Sequence, residues 1–297
     1  MYEIKSAAVI GAGTMGLGIA GQLANAGVPV TLLDIPSEGD NRDAVCERAL
    51  ERLLDERQPG LLHKDFVDRI TIGNIEDDLD KIADADWIAE AVVERLDIKK
   101  ALYRDIDALR KKGSIVSSNT STIPISLLVE DMPESFRQEF AITHFFNPVR
   151  YMRLLELVQG EDTKSAVIEC LGEFCDKKLG KGVVVCNDTP GFLGNRVGVY
   201  AIQKALHTAF DMGLAPAKAD ALFGRPLGRP KTGVFGLYVL IGIDLMSDVA
   251  KRLVSILPDG DPFHEVAATL PVMSRMIDAG LIGNKGGTGG FYLSLIH

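Results

Sequence analysis

From Ser6 to Leu33 the chain carries no charged residue across 28 positions, a run long enough on length alone to cross a bilayer. Its glycines argue for something else. Gly11, Gly13, Gly16, Gly18, Gly21 and Gly27, with Gln22, Asn25 and Pro29, break the apolar residues into short pieces, and Lys5 alone makes a poor basic leader. What remains is a short strand-like run at Ala7-Ala8-Val9-Ile10, a glycine-rich turn, a helix over Thr14–Ala26 and a second strand at Val30-Thr31-Leu32-Leu33. That is the opening of a βαβ unit.

The turn reads Gly11-Ala12-Gly13-Thr14-Met15-Gly16. Gly11 suits a tight turn, Gly13 lets backbone approach a pyrophosphate, and Gly16 permits close helix–sheet packing, while the helix N–H groups opening at Thr14 and Met15 face the phosphates. Asp34 ends the second strand 21 residues beyond Gly13. A carboxylate there accepts from ribose hydroxyls and repels a 2′-phosphate, so the expected cofactor is NAD, held by Gly11, Gly13, Thr14, Met15, Gly16 and Asp34. The alternative is a packing turn followed by an unrelated surface Asp. Gly18 and Gly21 are expected only to let the helix lie close to its neighbours.

Further strands are expected at Trp87–Ala91, Ser114–Ser117, Phe140–Thr143 and Gly182–Cys186, with helices near Asn41–Arg57, Leu96–Arg110 and Thr163–Leu179 between them. After Asn187-Asp188-Thr189-Pro190-Gly191 only helical patterns follow, about Phe192–Met212, Pro216–Phe223, Leu237–Leu257 and Pro262–Ala279, around a Gly- and Pro-rich loop at Gly224–Gly233. The expected class is α/β: a Rossmann-type doubly wound, mostly parallel sheet over residues 1–187, then an all-α domain over 188–297. The length of 297 residues accommodates two domains. Lys plus Arg is 32 against 41 Asp plus Glu, so the net charge is 32 − 41 = −9, which argues against nucleic-acid and anionic-membrane partners. Cys46, Cys170, Cys175 and Cys186 are scattered without a CxxC pair or nearby His, so no metal is expected and a reducing, cytoplasmic setting is.

Oxidising an alcohol with a nicotinamide requires a base for the hydroxyl proton, and neutral His serves near physiological pH. His144 follows a buried-looking strand in His144-Phe145-Phe146-Asn147-Pro148, at the carboxyl end where doubly wound sheets bind ligands. Twelve residues on, Glu156 interrupts the apolar run Leu154-Leu155-Glu156-Leu157-Val158. A buried carboxylate on one ring nitrogen would fix the tautomer and stabilise the imidazolium. On spacing alone, a structural His and a solvent-facing Glu fit equally well.

Taken together, Gly11–Ala20, Glu90-Ala-Val-Val-Glu94, Ser118-Asn119-Thr120-Ser121, His144–Pro148, Asp188–Phe192 with Asn195-Arg196, and Gly289–Tyr292 resemble the 3-hydroxyacyl-CoA dehydrogenases of fatty-acid β-oxidation. The resemblance implies NAD-dependent oxidation of a 3-hydroxyacyl-CoA to a 3-ketoacyl-CoA. It implies His144 as base, Glu156 as its orienting partner, and Ser118 and Asn195 as contacts of the reacting oxygen, in a cleft between the domains. Glu94, Lys99, Asn147 and Lys285 match cofactor contacts, although periodicity alone makes Lys99 an exposed helix residue. A homodimer through the helical domain is implied, with Val239–Ile241, Leu245 and Met246 as apolar candidates. The family's CoA-contacting Ser and Lys have no counterpart in Glu51–Gly60, which leaves Arg52, Arg57 and Lys64 as candidates. Two rivals share the fold: a β-hydroxyacid dehydrogenase using a lysine on the interdomain helix, where this chain has only Lys204, and a non-catalytic NADH-binding protein of crystallin type. The chain fits either a whole monofunctional enzyme or the front piece of a longer fused β-oxidation protein carrying, for example, a hydratase.

Overall fold

The computed structural model describes residues 2–55, 59–287 and 289–292, and divides into two compact units, Met1–Phe192 and Leu193–His297. The first contains, in chain order, β1 (Ala7–Ile10), α1 (Thr14–Asn25), β2 (Val30–Asp34), α2 (Ala44–Leu53), β3 (Ile70–Asn74), β4 (Trp87–Glu90), α3 (Leu96–Leu109) and β5 (Ile115–Ser118). After the short α4 (Ile125–Leu128) and α5 (Glu134–Arg137) come β6 (Phe140–Phe145), β7 (Leu154–Gln159), α6 (Ser165–Lys177) and β8 (Gly182–Cys186). They form one sheet in the order β3-β2-β1-β4-β5-β6-β7-β8. Every neighbouring pair is parallel except β6 and β7, whose connection over 146–153 is too short for a crossover helix.

The inner strands are largely buried on both faces, as a helix-covered parallel sheet requires, whereas β8 at one edge is half-exposed, with Val185 62% exposed. In β1, Ala7 and Val9 pack with Leu17, Ile19, Leu23 and Trp87, while Ala8 and Ile10 face Tyr103, Ile106, Phe136 and Phe140. Strand β3 gave no clear signal in sequence. It lies at the sheet edge, exposes Thr71 and ends in Gly73-Asn74, so it lacks the apolar run of an inner strand.

Close packing explains the helix glycines. A Cβ on Gly16 would sit 1.8 Å from the Gly11 carbonyl oxygen, and one on Gly18 or Gly21 would meet Val149 at 2.8 Å or Leu53 at 2.9 Å. Gly11 itself has φ +107°, open to glycine and strained for other residues.

The second unit holds α7 (Gly194–Asp211), α8 (Pro216–Phe223), α9 (Phe235–Ile241), α10 (Ile243–Ile256) and α11 (Pro271–Asp278), with a 3₁₀ turn at Arg225–Leu227 inside the Gly/Pro loop. Two expected helices are divided. Gly242, at φ +114°, ends α9 before α10 begins. The expected helix over Pro262–Ala279 becomes a 3₁₀ turn at Pro262–Glu265 and α11, because Pro271 holds Leu270 extended at φ −63°, ψ 138°. Among the described residues no helix is long and apolar enough to cross a membrane, and the four cysteines form no disulfide.

Candidate active site

The strand order reverses between β1 and β4, and a crevice opens there at the carboxyl ends of the strands, where open α/β sheets bind ligands. A cavity of about 870 Å³ fills it, lined by Gly11, Gly13, Thr14 and Met15 after β1, Asp34 at the end of β2, and Ala91, Val92 and Val93 after β4. The glycines behave differently. A Cβ on Gly11 would lie 2.5 Å from the Ala91 carbonyl oxygen, so packing demands that glycine, whereas a Cβ on Gly13 meets nothing within 4 Å. Gly13 therefore faces open space at the mouth of α1, the place a pyrophosphate would take. Asp34 accepts from the Ala12 N–H at 2.5 Å and the Ile35 N–H at 2.6 Å, which aims its carboxylate at the turn and leaves lone pairs for ribose hydroxyls. These residues fit a dinucleotide.

Strands β6 and β7 bring the proposed base and its partner together. Their antiparallel register sets His144 opposite Glu156, and the His144 Nδ1 lies 2.6 Å from Glu156 Oε2. Glu156 is fully buried and His144 is 6% exposed. A carboxylate only accepts, so the hydrogen sits on Nδ1 and the neutral ring keeps Nε2 as an acceptor. Phe146 and Phe192 stand against the imidazole, with ring centroids 4.5 Å and 5.7 Å away. The thiol of Cys186, on β8, lies 3.8 Å from Glu156 Oε1. The twelve-residue spacing thus becomes a direct cross-strand pair.

A second polar cluster occupies the ends of β4 and β5, where Glu90 and Ser118 share a register position. Glu90, fully buried, accepts from Lys99 Nζ at 2.6 Å, Tyr103 OH at 2.7 Å, Ser118 Oγ at 2.7 Å and the Val92 N–H at 2.8 Å. Every neighbour is a donor, so Glu90 acts as a carboxylate. Ser118 Oγ also accepts from the Thr120 N–H at 3.1 Å. Lys99 reaches Glu94 Oε2 at 3.3 Å, and Glu94 Oε1 takes the hydroxyls of Thr120 and Thr122 and the Ser121 N–H. Burial alone would raise the Glu94 pKa; the Lys99 ammonium and these donors outweigh it and hold the carboxyl below its ordinary 4.5. Burial, then the Glu90 charge, pushes the Tyr103 phenol well above its ordinary 10.0.

Lys99 is only 1% exposed, against the exposed position that periodicity gave it. Its ammonium leaves the helix surface because two carboxylates hold it inward. No motif spacing gives Glu90 or Tyr103 a role, although a Glu in the apolar run Trp87-Ile88-Ala89-Glu90 is a signal of the same kind as Glu156. Asn147 follows β6 and is exposed. Asn195, half-buried in the first turn of α7, and Lys285, which pairs with Asp244 at 3.3 Å, belong to the second unit. Of the CoA candidates, Arg52 reaches Thr14 Oγ1 at 3.4 Å, Lys64 lines a hollow of about 620 Å³ that Arg150, not a candidate from sequence, also borders, and Arg57 lies outside the described residues.

Residues 6–189 match the family model described as 3-hydroxyacyl-CoA dehydrogenase, NAD binding domain, and residues 191–293 match that of the 3-hydroxyacyl-CoA dehydrogenase C-terminal domain. The chain belongs to the 3-hydroxyacyl-CoA dehydrogenase family. A Deinococcus radiodurans relative named "Probable 3-hydroxyacyl-CoA dehydrogenase" is 43% identical over 292 residues, covering 98% of this chain and 83% of its own. A Rickettsia felis relative, whose given name is that of a fatty acid oxidation complex trifunctional enzyme, is 45% identical over 98% of this chain and 40% of its own. This chain therefore spans about two fifths of that relative's length. The solved (S)-3-hydroxybutyryl-CoA dehydrogenase of Ralstonia eutropha superposes with a TM-score of 0.78 at 29% identity, covering 98% of this chain and 99% of that one.

Proposed function

We propose that the chain oxidises an (S)-3-hydroxyacyl-CoA to the 3-ketoacyl-CoA with NAD, a step of fatty-acid β-oxidation. The observation that carries this reading is the buried His144–Glu156 pair at the carboxyl end of a dinucleotide-binding sheet. When bound, NAD supplies the acceptor for the hydride leaving carbon 3. His144 Nε2 takes the 3-hydroxyl proton, and Glu156 stabilises the imidazolium that results. Ser118, whose hydroxyl donates to Glu90 in this structure, turns that proton to the reacting oxygen as the oxygen loses its own. The Asn195 amide donates to the oxygen as it becomes a carbonyl. Gly13, the N–H groups at Thr14 and Met15, Asp34, Glu94, Asn147 and Lys285 make up the cofactor side of this reading, with Lys99 acting from beneath Glu94.

The same reading includes a homodimer. Leu240 is 55% and Leu245 45% exposed, with Ile241 beside them, whereas Val239 and Met246 are buried in the core of their own unit. Four thiols without a disulfide among them suit a reducing, cytoplasmic setting.

The test is NADH production from (S)-3-hydroxybutyryl-CoA, and NADH consumption with acetoacetyl-CoA, compared with free 3-hydroxybutyrate. Turnover of the thioesters alone supports the reading; inertness toward all three overturns it. His144→Gln is expected to lower turnover by about 10³-fold while NADH binding stays within about twofold.

A further inference from the structure

A buried group with unbalanced charge lies at the ends of β4 and β5. Glu90 and Glu94 are two carboxylates, and Lys99 is the single ammonium between them, 2.6 Å from one and 3.3 Å from the other. The remaining partners, Tyr103, Ser118, Thr120, Thr122 and backbone N–H groups, are neutral donors. The group therefore carries a net charge of −1, screened from water on the Glu90 side, where Glu90 and Lys99 are at most 1% exposed, and reaching the surface at Glu94, whose side chain is 26% exposed. Replacing a buried ion pair by apolar residues of similar size is often neutral for stability, so the pairing is weak evidence of a stabilising role.

Its position gives it a target. Asp34 marks the half of the crevice that takes one ribose, beside β2, and a dinucleotide crosses the switch point from there toward β4 and β5. The nicotinamide half then approaches the ends of those strands, where Glu90, Ser118 and the Glu94 turn lie. The oxidised nicotinamide ring is a cation and the reduced ring is neutral; the ribose is the same in both. A fixed negative charge beside the ring acts on one form only.

We propose that the Glu90–Lys99–Glu94 group sets the balance between oxidised and reduced cofactor, favouring binding of the cationic NAD⁺ over NADH, with Glu94 as the face it presents and Glu90 as the residue that holds Lys99 inward. The inference rests on the cofactor part of the reading above. Its signature separates charge from hydrogen bonding: loss of a Glu94 bond to ribose weakens NAD⁺ and NADH alike, whereas loss of its charge weakens NAD⁺ selectively.

The test is direct titration of the full chain with NAD⁺ and with NADH by calorimetry, without acyl substrate, on the wild type, Glu94→Gln and Glu94→Asp. Glu94→Gln brings the group to zero charge and is expected to raise the ratio Kd(NAD⁺)/Kd(NADH) about tenfold, with Glu94→Asp returning the ratio to within about twofold of wild type. Lys99→Met, which makes the group −2, is expected to move the ratio the other way; if its buried carboxylates prevent folding, the Gln and Asp variants carry the test on a partly exposed side chain. Equal weakening of both nucleotides in Glu94→Gln overturns the inference and leaves the cofactor reading intact. Failure of the wild-type chain to bind either nucleotide overturns both.

Discussion

Replacing Glu156 by Gln removes one charge from the buried pair and little else. The amide has nearly the same shape, and its oxygen still accepts from His144 Nδ1, now 2.6 Å from the carboxylate. In the wild type the imidazolium formed during oxidation lies with its charge centre about 4 Å from that of the carboxylate, which at an effective dielectric of about 20 is worth about 4 kcal/mol. A residual neutral hydrogen bond returns about 1 kcal/mol of this. The remaining ~3 kcal/mol, at 1.36 kcal/mol per tenfold, predicts a fall in turnover of about two orders of magnitude. The loss belongs to the step that charges His144, so the NADH dissociation constant and the KM for NAD⁺ should stay within about twofold. The assay is steady-state NADH formation from (S)-3-hydroxybutyryl-CoA, with a calorimetric NADH titration and a melting curve as controls. Turnover within about threefold of wild type, in a variant that still binds NADH, would refute the argument that the pair acts through charge.

Asp34→Ser should weaken NAD⁺ about tenfold and bring NADP⁺ binding into a measurable range, because the carboxylate that repels a 2′-phosphate is gone; unchanged selectivity in direct titration would show that Asp34 serves only the turn N–H groups it accepts from. The Glu94 carboxyl lies below its ordinary 4.5 in the folded chain, so its ionised form stabilises the fold above that value, and the contribution is lost as pH falls through the folded pKa. The gap in Tm between wild type and Glu94→Gln should accordingly be largest near pH 7 and close below about pH 4.5; a gap independent of pH contradicts this. Leu240→Glu with Leu245→Glu should convert a dimer to a monomer in sedimentation velocity, and a wild-type chain that already sediments as a monomer removes the dimer from the reading.

Sequence and structure part at identifiable residues. The uncharged stretch from Ser6 to Leu33 already determined β1, the turn and α1, because only glycine tolerates φ +107° at position 11 and only the absence of a side chain at position 16 allows the helix to touch the preceding turn. Local pattern is enough where the constraint is local. It was likewise enough for β2, β4, β5 and β6, whose apolar runs follow from burial on both faces, but not for β7, where Glu156 interrupts the apolar run. Strand β3 at the edge, the break at Gly242 and the division before Pro271 depend on what each segment packs against.

The polar groups show the same limit more sharply. The sequence offered His144 and Glu156 at a spacing that suited a pair or two unrelated residues, and the antiparallel register of β6 and β7 decided for the pair. Lys99 has the periodicity of a solvent-facing residue, yet its ammonium is buried because Glu90, a distant strand terminus, and Glu94 outbid water for it. Charge pairing across elements leaves no trace in the spacing of any one of them. The sequence determined which chemistry-bearing residues the chain possesses and the local turn that cradles a phosphate. Only the tertiary structure decided which of them share a proton or a charge, since that depends on strand register and on exclusion of water, both properties of the assembled sheet.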